Sequence, residues 1–148
     1  MQSKPQEKRL IGRIEKVIFP TWDIPPMDGK VDTGAFTSSL HCTDIRHDPF
    51  GKLVTFSIPL SDGSQMREIQ ARVYDLRNIK SSNGIVEERV VIITSIEIGG
   101  EEYKIEISLT DRSDMKYPVL LGRKFLRNKF IVDVSKTNIA GKSWRYAQ

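Results

Sequence analysis

The sequence predicts an all-β fold, a closed or nearly closed barrel of short strands with one short helix towards the C-terminus. Three observations carry this. Several runs alternate apolar and polar residues with a period of two, clusters of Gly, Asn, Asp, Ser and Pro separate those runs, and only one stretch reads as helical. A chain of 148 residues is long enough for one hydrophobic core and short for two. Residues 1–8 read as a flexible polar tail and residues 9–148 as a single domain.

The first strand is residues 10–19, rich in β-branched and aromatic side chains, and the proline-bearing stretch 21–29 breaks it. Residues 52–60 set Leu53, Thr55 and Ser57 against Val54, Phe56 and Ile58, the pattern of a half-buried strand. The turn former Ser61-Asp62-Gly63-Ser64 leads into a return strand over 66–74. A second hairpin runs from 90–98 through Gly99-Gly100 into 103–109. The short apolar run 119–121 is followed by a helical turn over 123–128 and a last strand over 130–134.

Charge and composition exclude several classes. The formal net charge is +4, and the excess is local: residues 123–148 carry seven bases against one acid, Asp133. Such a stretch serves solubility, or holds an acidic partner or nucleic acid. The single cysteine, Cys42, excludes an internal disulfide framework and any multi-cysteine zinc finger. No apolar run reaches the ~20 residues of a membrane helix, and no secretory signal is visible, so a cytoplasmic location with no membrane partner is the expectation.

One motif stands out from this plain β pattern. Lys30-Val31-Asp32-Thr33-Gly34-Ala35 leads an apolar residue into Asp-Thr-Gly, followed by the hydroxyl run Thr37-Ser38-Ser39. About ninety residues later comes Met115-Lys116-Tyr117-Pro118-Val119-Leu120-Leu121-Gly122-Arg123. The two blocks together resemble the retropepsins, single-domain aspartic proteases that act as homodimers. With Leu40-His41 and Asp111-Arg112-Ser113 added, residues 10 to about 135 are similar to a bacterial and archaeal retropepsin-like group that has carried the label ATP-dependent zinc protease.

The resemblance implies an acid-protease barrel and an aspartic peptidase with Asp32, Thr33 and Gly34 as its catalytic loop. Two carboxyls about 3 Å apart cannot both ionise, so one takes a proton from water while the other protonates the scissile carbonyl. This chain has a single Asp-Thr-Gly, so the second Asp32 must come from another copy. Gly34 would let the backbone approach closely and offer its N–H to the carboxylate, and the Thr33 hydroxyl would cross the dimer axis. Ala35 would pass beneath the substrate, with Tyr117, Pro118 and Val119 lining its pocket and Leu120 and Leu121 in the core. Ser81, Ser82, Asn83 and Gly84, between strand-like Asn78-Ile79 and Ile85-Val86, would form the tip of a flap; an ordinary hairpin turn explains them equally well. In the retroviral relatives an acid follows the Ala and pairs with the Arg of Gly-Arg. Phe36 stands there, leaving Arg123 without that partner.

Competing sites are weaker. His41, Cys42, Asp44, His47 and Asp48 crowd into eight residues but lack His-Glu-x-x-His and a second thiol, so no metal and no cofactor is expected. A phosphate-cradling Gly-rich loop is absent too. Cys42 reads as a small buried hydrophobe: adjacent strand residues face opposite sides, so His41 cannot serve it as a base and a Cys-His pair would have to be assembled through His47. The expected partners are a peptide or protein substrate and a second copy of the chain. The alternative is a non-catalytic β-barrel dimer that binds protein or nucleic acid, which gives no reason for the intact Asp32-Thr33-Gly34. Members of the group are often found beside ATP-grasp peptide ligases, which implies processing of a ligated tail.

Overall fold

Alternation and turn chemistry account for most of the strands in the computed structural model, which describes residues 7–48, 50–60, 65–80 and 84–141. The elements are β1 (Arg9–Val17), β2 (Met27–Val31), β3 (Ser38–His41), β4 (Thr43–His47), β5 (Leu53–Pro59), β6 (Met66–Arg72), β7 (Asp75–Lys80), β8 (Val86–Ile98), β9 (Glu101–Thr110), β10 (Val119–Leu121), α1 (Arg123–Leu126) and β11 (Phe130–Thr137). Eight strands form one sheet in the order β11-β1-β2-β10-β3-β9-β8-β7, and β4-β5-β6 form a second.

This differs from a continuous closed barrel. The large sheet begins at β11 and ends at β7, and just past the end of β1 Ile18 bridges to Glu97 of β8, the two N–H groups bonding each other's carbonyls at 3.0 and 2.8 Å. The sheet therefore curls on itself without a full ladder at the seam.

Period-two burial places the core between the sheets. Val54, Phe56 and Ile58 of β5 belong to one buried cluster with Leu40, Ile92, Ile107, Leu109, Val119 and Leu121 of the large sheet. Trp22 packs there as well, stacked on Phe19 at 4.4 Å and edge-on to Phe56 at 5.6 Å. The β8–β9 hairpin turns on Gly99 and Gly100 at φ 61° and 85°, and positive φ at both central residues is what a two-residue hairpin loop demands. Gly99 has a second constraint, because a Cβ there would lie 2.5 Å from the Gly141 nitrogen.

A buried carboxylate ties the chain's two ends together. Glu15 on β1 accepts backbone N–H bonds from Gly12 at 2.7 Å, Ile139 at 3.0 Å and Ala140 at 3.1 Å. These donors are what keep a buried acid tolerable. The segment after β11 is thereby pinned beside β1, itself paired in parallel with β11.

Candidate active site

Strand β2 is held on both edges, antiparallel to β1 and parallel to β10, and its C-terminal end delivers Asp32 into the loop 32–37. The Asp32 N–H donates to the Leu121 carbonyl at 2.9 Å, continuing the β2–β10 pairing past the end of β2. The Asp32 carbonyl closes a turn by accepting the Ala35 N–H at 3.3 Å, and one carboxylate oxygen accepts the Gly34 N–H at 3.0 Å. The sequence assigned that donor to Gly34. A Cβ on Gly34 would meet only Asp32 Oδ1, at 3.3 Å, so its smallness matters less to the loop than its N–H.

The loop's far side is clamped by the residues after β10. A helix leaves its first N–H groups without internal partners, and here the loop supplies acceptors: Arg123 N–H bonds the Ala35 carbonyl at 2.8 Å and Lys124 N–H the Phe36 carbonyl at 3.0 Å. The preceding Gly122 N–H donates to Ser38 Oγ at 2.9 Å. Gly122 can be nothing larger, since a Cβ there would lie 2.7 Å from the Phe36 oxygen and 2.8 Å from the Thr37 carbonyl carbon. Two blocks about ninety residues apart in sequence thus build one hydrogen-bonded turn, with Asp32 half-buried and Thr33 and Gly34 exposed.

Arg123 finds a different partner from the acid expected of it. Its guanidinium donates to the Thr33 carbonyl at 2.9 Å, and its charge lies 5.8 Å from the Phe36 ring centre. Arg127 stands over the same ring at 5.8 Å, so the half-exposed Phe36 joins two cations beside the Asp32 loop.

The residues expected to line a pocket fall into distinct places. Tyr117 and Pro118 are partly exposed, with Lys30 and Lys116 nitrogens 5.8 and 5.7 Å from the Tyr117 ring centre. Pro118 also lines a cavity of about 320 Å³ together with Ile24, Pro25, Met27, Ile58 and Leu60. Val119 is fully buried in the core; alternation along β10 turns Leu120, not Val119 or Leu121, to the opposite face, where it is half-buried. Ser81, Ser82 and Asn83 lie outside the described residues. Gly84 is exposed at φ 85°, next to a hairpin in which Lys80 pairs with Val86.

The cluster at 41–48 disperses. His41 Nδ1 accepts the Arg112 N–H at 3.1 Å, Asp44 faces Arg46 at 3.3 Å, and Asp48 bonds the Phe50 N–H at 2.9 Å. Cys42 is fully buried, and burial pushes its thiol up to about 12, which leaves it protonated and unreactive at neutral pH. Among the described residues no three His, Cys, Asp or Glu side chains gather to hold a metal ion. No helix among them is long and apolar enough to cross a membrane.

Sequence reasoning missed the hydroxyl contacts beneath the loop. Ser38 Oγ holds Gly122, while Ser39 and Ser108 share a hydrogen bond at 3.1 Å across β3 and β9. The run Thr37-Ser38-Ser39 was the available signal.

Known proteins resemble this chain over most of its length. A family model described as the retropepsin-like aspartic endopeptidase RimB matches residues 10–143. A protein of Shewanella halifaxensis named "Probable alpha-L-glutamate ligase" is 39% identical over 141 residues, covering 91% of this chain and 30% of its own length. One of the same name from Parasynechococcus marenigrum is 34% identical over 132 residues, covering 85% of this chain and 28% of its own. The chain thus spans under a third of the curated relatives it matches. The crystal structure of a Legionella pneumophila protein of unknown function, DUF785, superposes with a TM-score of 0.75 at 25% identity, covering 90% of this chain and 99% of that one.

Proposed function

Because the chain belongs to the RimB-like family of retropepsin-like aspartic endopeptidases, we propose that it hydrolyses peptide bonds as a homodimer, with water activated between two Asp32 carboxyls, one from each copy. The observation that carries this reading is the loop itself. The Asp-Thr-Gly that occurs once in the sequence sets its carboxylate, half-buried, on a turn held by bonds to Leu121, Gly34, Arg123 and Lys124.

The chemistry requires one shared proton. The unprotonated carboxylate takes a proton from water as its oxygen attacks the scissile carbonyl carbon, and the protonated carboxyl gives its own to the carbonyl oxygen. The tetrahedral diol then collapses. The C–N bond breaks, the amine leaves with a proton, and the dyad again holds one. No covalent intermediate forms and no metal enters any step.

The substrate we infer is a peptide rich in carboxylates, such as a glutamate tail. Relatives in which a domain like this one makes up under a third of the chain are named for glutamate ligation. Basic groups stand by the loop: Lys30 and Lys116 at Tyr117, and Arg127 at Phe36. Such charges raise the local concentration of an anionic chain. The test is cleavage of a peptide ending in several glutamates beside its glutamine counterpart, by the parent protein and by Asp32→Asn. Faster cleavage of the glutamate peptide, lost in the variant, is the expected result.

Arg123 is a positioning residue in this scheme. Replacing it with Met removes the bond to the Thr33 carbonyl but keeps the bulk beside Phe36. The expected result is a roughly tenfold fall in kcat with KM little changed, because a misplaced reacting group costs rate before binding. A raised KM at unchanged kcat would mean that Arg123 binds substrate instead.

A further inference from the structure

Two buried side-chain atoms among the described residues have no hydrogen-bond partner, Arg89 Nε and Thr110 Oγ1. Both lie two residues beyond the printed end of the β8–β9 ladder, on the same face of the sheet as its last pair, Val91 and Ser108. The β8–β9 ladder pairs Val91 with Ser108, and the same register continued by two residues sets Arg89 opposite Thr110. On one side Arg77 of β7 pairs with Arg89; on the other His41 of β3 pairs with Thr110. The row Arg77–Arg89–Thr110–His41 therefore crosses four strands on one face of the sheet. That face is shared with Ser108, Ser39, Leu120 and Lys30, and it is opposite the one packed on β5.

Every member of the row can donate a proton, and of the four only the Thr110 hydroxyl is free to accept one as well. The guanidinium groups only donate, and the Thr110 hydroxyl is free to do so. His41 accepts the Arg112 N–H on Nδ1, which assigns the proton of the neutral ring to Nε2. Neighbouring acids do not complete the set. Asp75 and Glu106 face Arg77 at 3.0 and 3.6 Å, and Glu87 reaches only Arg89 Nη2, at 3.4 Å. The Arg89 side chain is 10% exposed, so its orphaned Nε–H sits where a missing acceptor is costly. A carboxylate, with two oxygens and no donor, supplies acceptors for Arg89 and Thr110 at once.

Resting on the reading of an acidic substrate, we propose that the root of the β7–β8 hairpin carries a carboxylate-binding subsite, in which Arg89 and Thr110, flanked by Arg77 and His41, hold an acidic side chain of the bound peptide. The ends of the row keep solvent contact through the partly exposed Arg77 and His41. His41 lies four residues beyond Thr37, about 13 Å along β3. An extended peptide covers that distance in about four residues. The subsite thus reads a residue several places from the scissile bond and sets specificity without touching the reacting atoms.

The experiment separates binding from cleavage. In the Asp32→Asn background, fluorescence anisotropy measures the affinity of a labelled peptide ending in glutamates and of its glutamine counterpart. Arg89→Met is expected to weaken the glutamate peptide by ~10–100-fold and Thr110→Val by ~5–10-fold, with the preference over glutamine falling towards one. Thr110→Val should melt no lower than its parent, because the hydroxyl it loses has no partner to abandon; it carries the test if Arg89→Met does not fold. Unchanged affinity in Thr110→Val, or a parent that binds both peptides equally, overturns the subsite and leaves the aspartic mechanism standing. Cleavage surviving in Asp32→Asn overturns the mechanism and leaves the binding result standing.

Discussion

Asp32→Asn is expected to lower peptide cleavage by on the order of 10⁴-fold while leaving the melting temperature and the assembled mass unchanged. The expectation that the fold survives is specific. The Asp32 backbone makes the bonds to Leu121 and Ala35, and those do not depend on the side chain. The carboxylate accepts one backbone N–H, from Gly34, and an Asn side-chain oxygen in the same place accepts it equally well. What Asn cannot do is take a proton from water or hold one for the substrate carbonyl. Loss of turnover with retained peptide binding, measured side by side, is the signature of a missing proton carrier. Turnover within tenfold of the parent would remove Asp32 from the chemistry.

Gly122→Ala should damage stability and activity together. The added Cβ would sit 2.7 Å from the Phe36 oxygen and 2.8 Å from the Thr37 carbonyl carbon, both backbone atoms. The Phe36 carbonyl is already committed to the Lys124 N–H, so it cannot retreat without losing that bond. Overpacking against backbone costs about 3 kcal/mol, a fall of roughly 10 °C in melting temperature for a chain of this size. Cleavage should be reduced even where the variant is fully folded, because the displaced backbone is the turn that carries Asp32. Gly34→Ala is the control. Its Cβ would meet only a side-chain oxygen, at 3.3 Å, and should cost under ~1 kcal/mol. Equal thermal stability of Gly122→Ala and the parent would contradict the packing argument.

What the sequence made legible were features encoded locally. The β5–β6 and β8–β9 hairpins announced themselves through alternation and turn residues, and Gly99-Gly100 supplied the positive φ their turn needs. The loop at Asp32 and the block ending in Arg123 were legible as a matched pair of motifs, and the structure joins them through backbone bonds. The features that stayed hidden depend on tertiary pairing. Met27–Val31 has Val31 as its one β-branched residue, and its first three residues read as part of a break. It is a strand because β1 and β10 flank it, and Gly29 fits there because a Cβ would lie 2.6 Å from a Val17 methyl. The polar β4 is held by pairing with β5 rather than by its own propensity. The new partner of Arg123 is a carbonyl, which no residue pattern reveals. Arg89 and Thr110 are unremarkable residues in sequence, and only the register of β8 and β9, extended past the pair Val91–Ser108, sets them on one face.

The most direct test of the paired Asp32 carboxyls is turnover per chain measured across a dilution series, with sedimentation run at the same concentrations. If each chain supplies half of the dyad, turnover per chain falls in step with the population of dimer and vanishes where single chains alone sediment. Constant turnover per chain in a species with the mass of one chain would contradict the account, because a solitary Asp32 would then suffice.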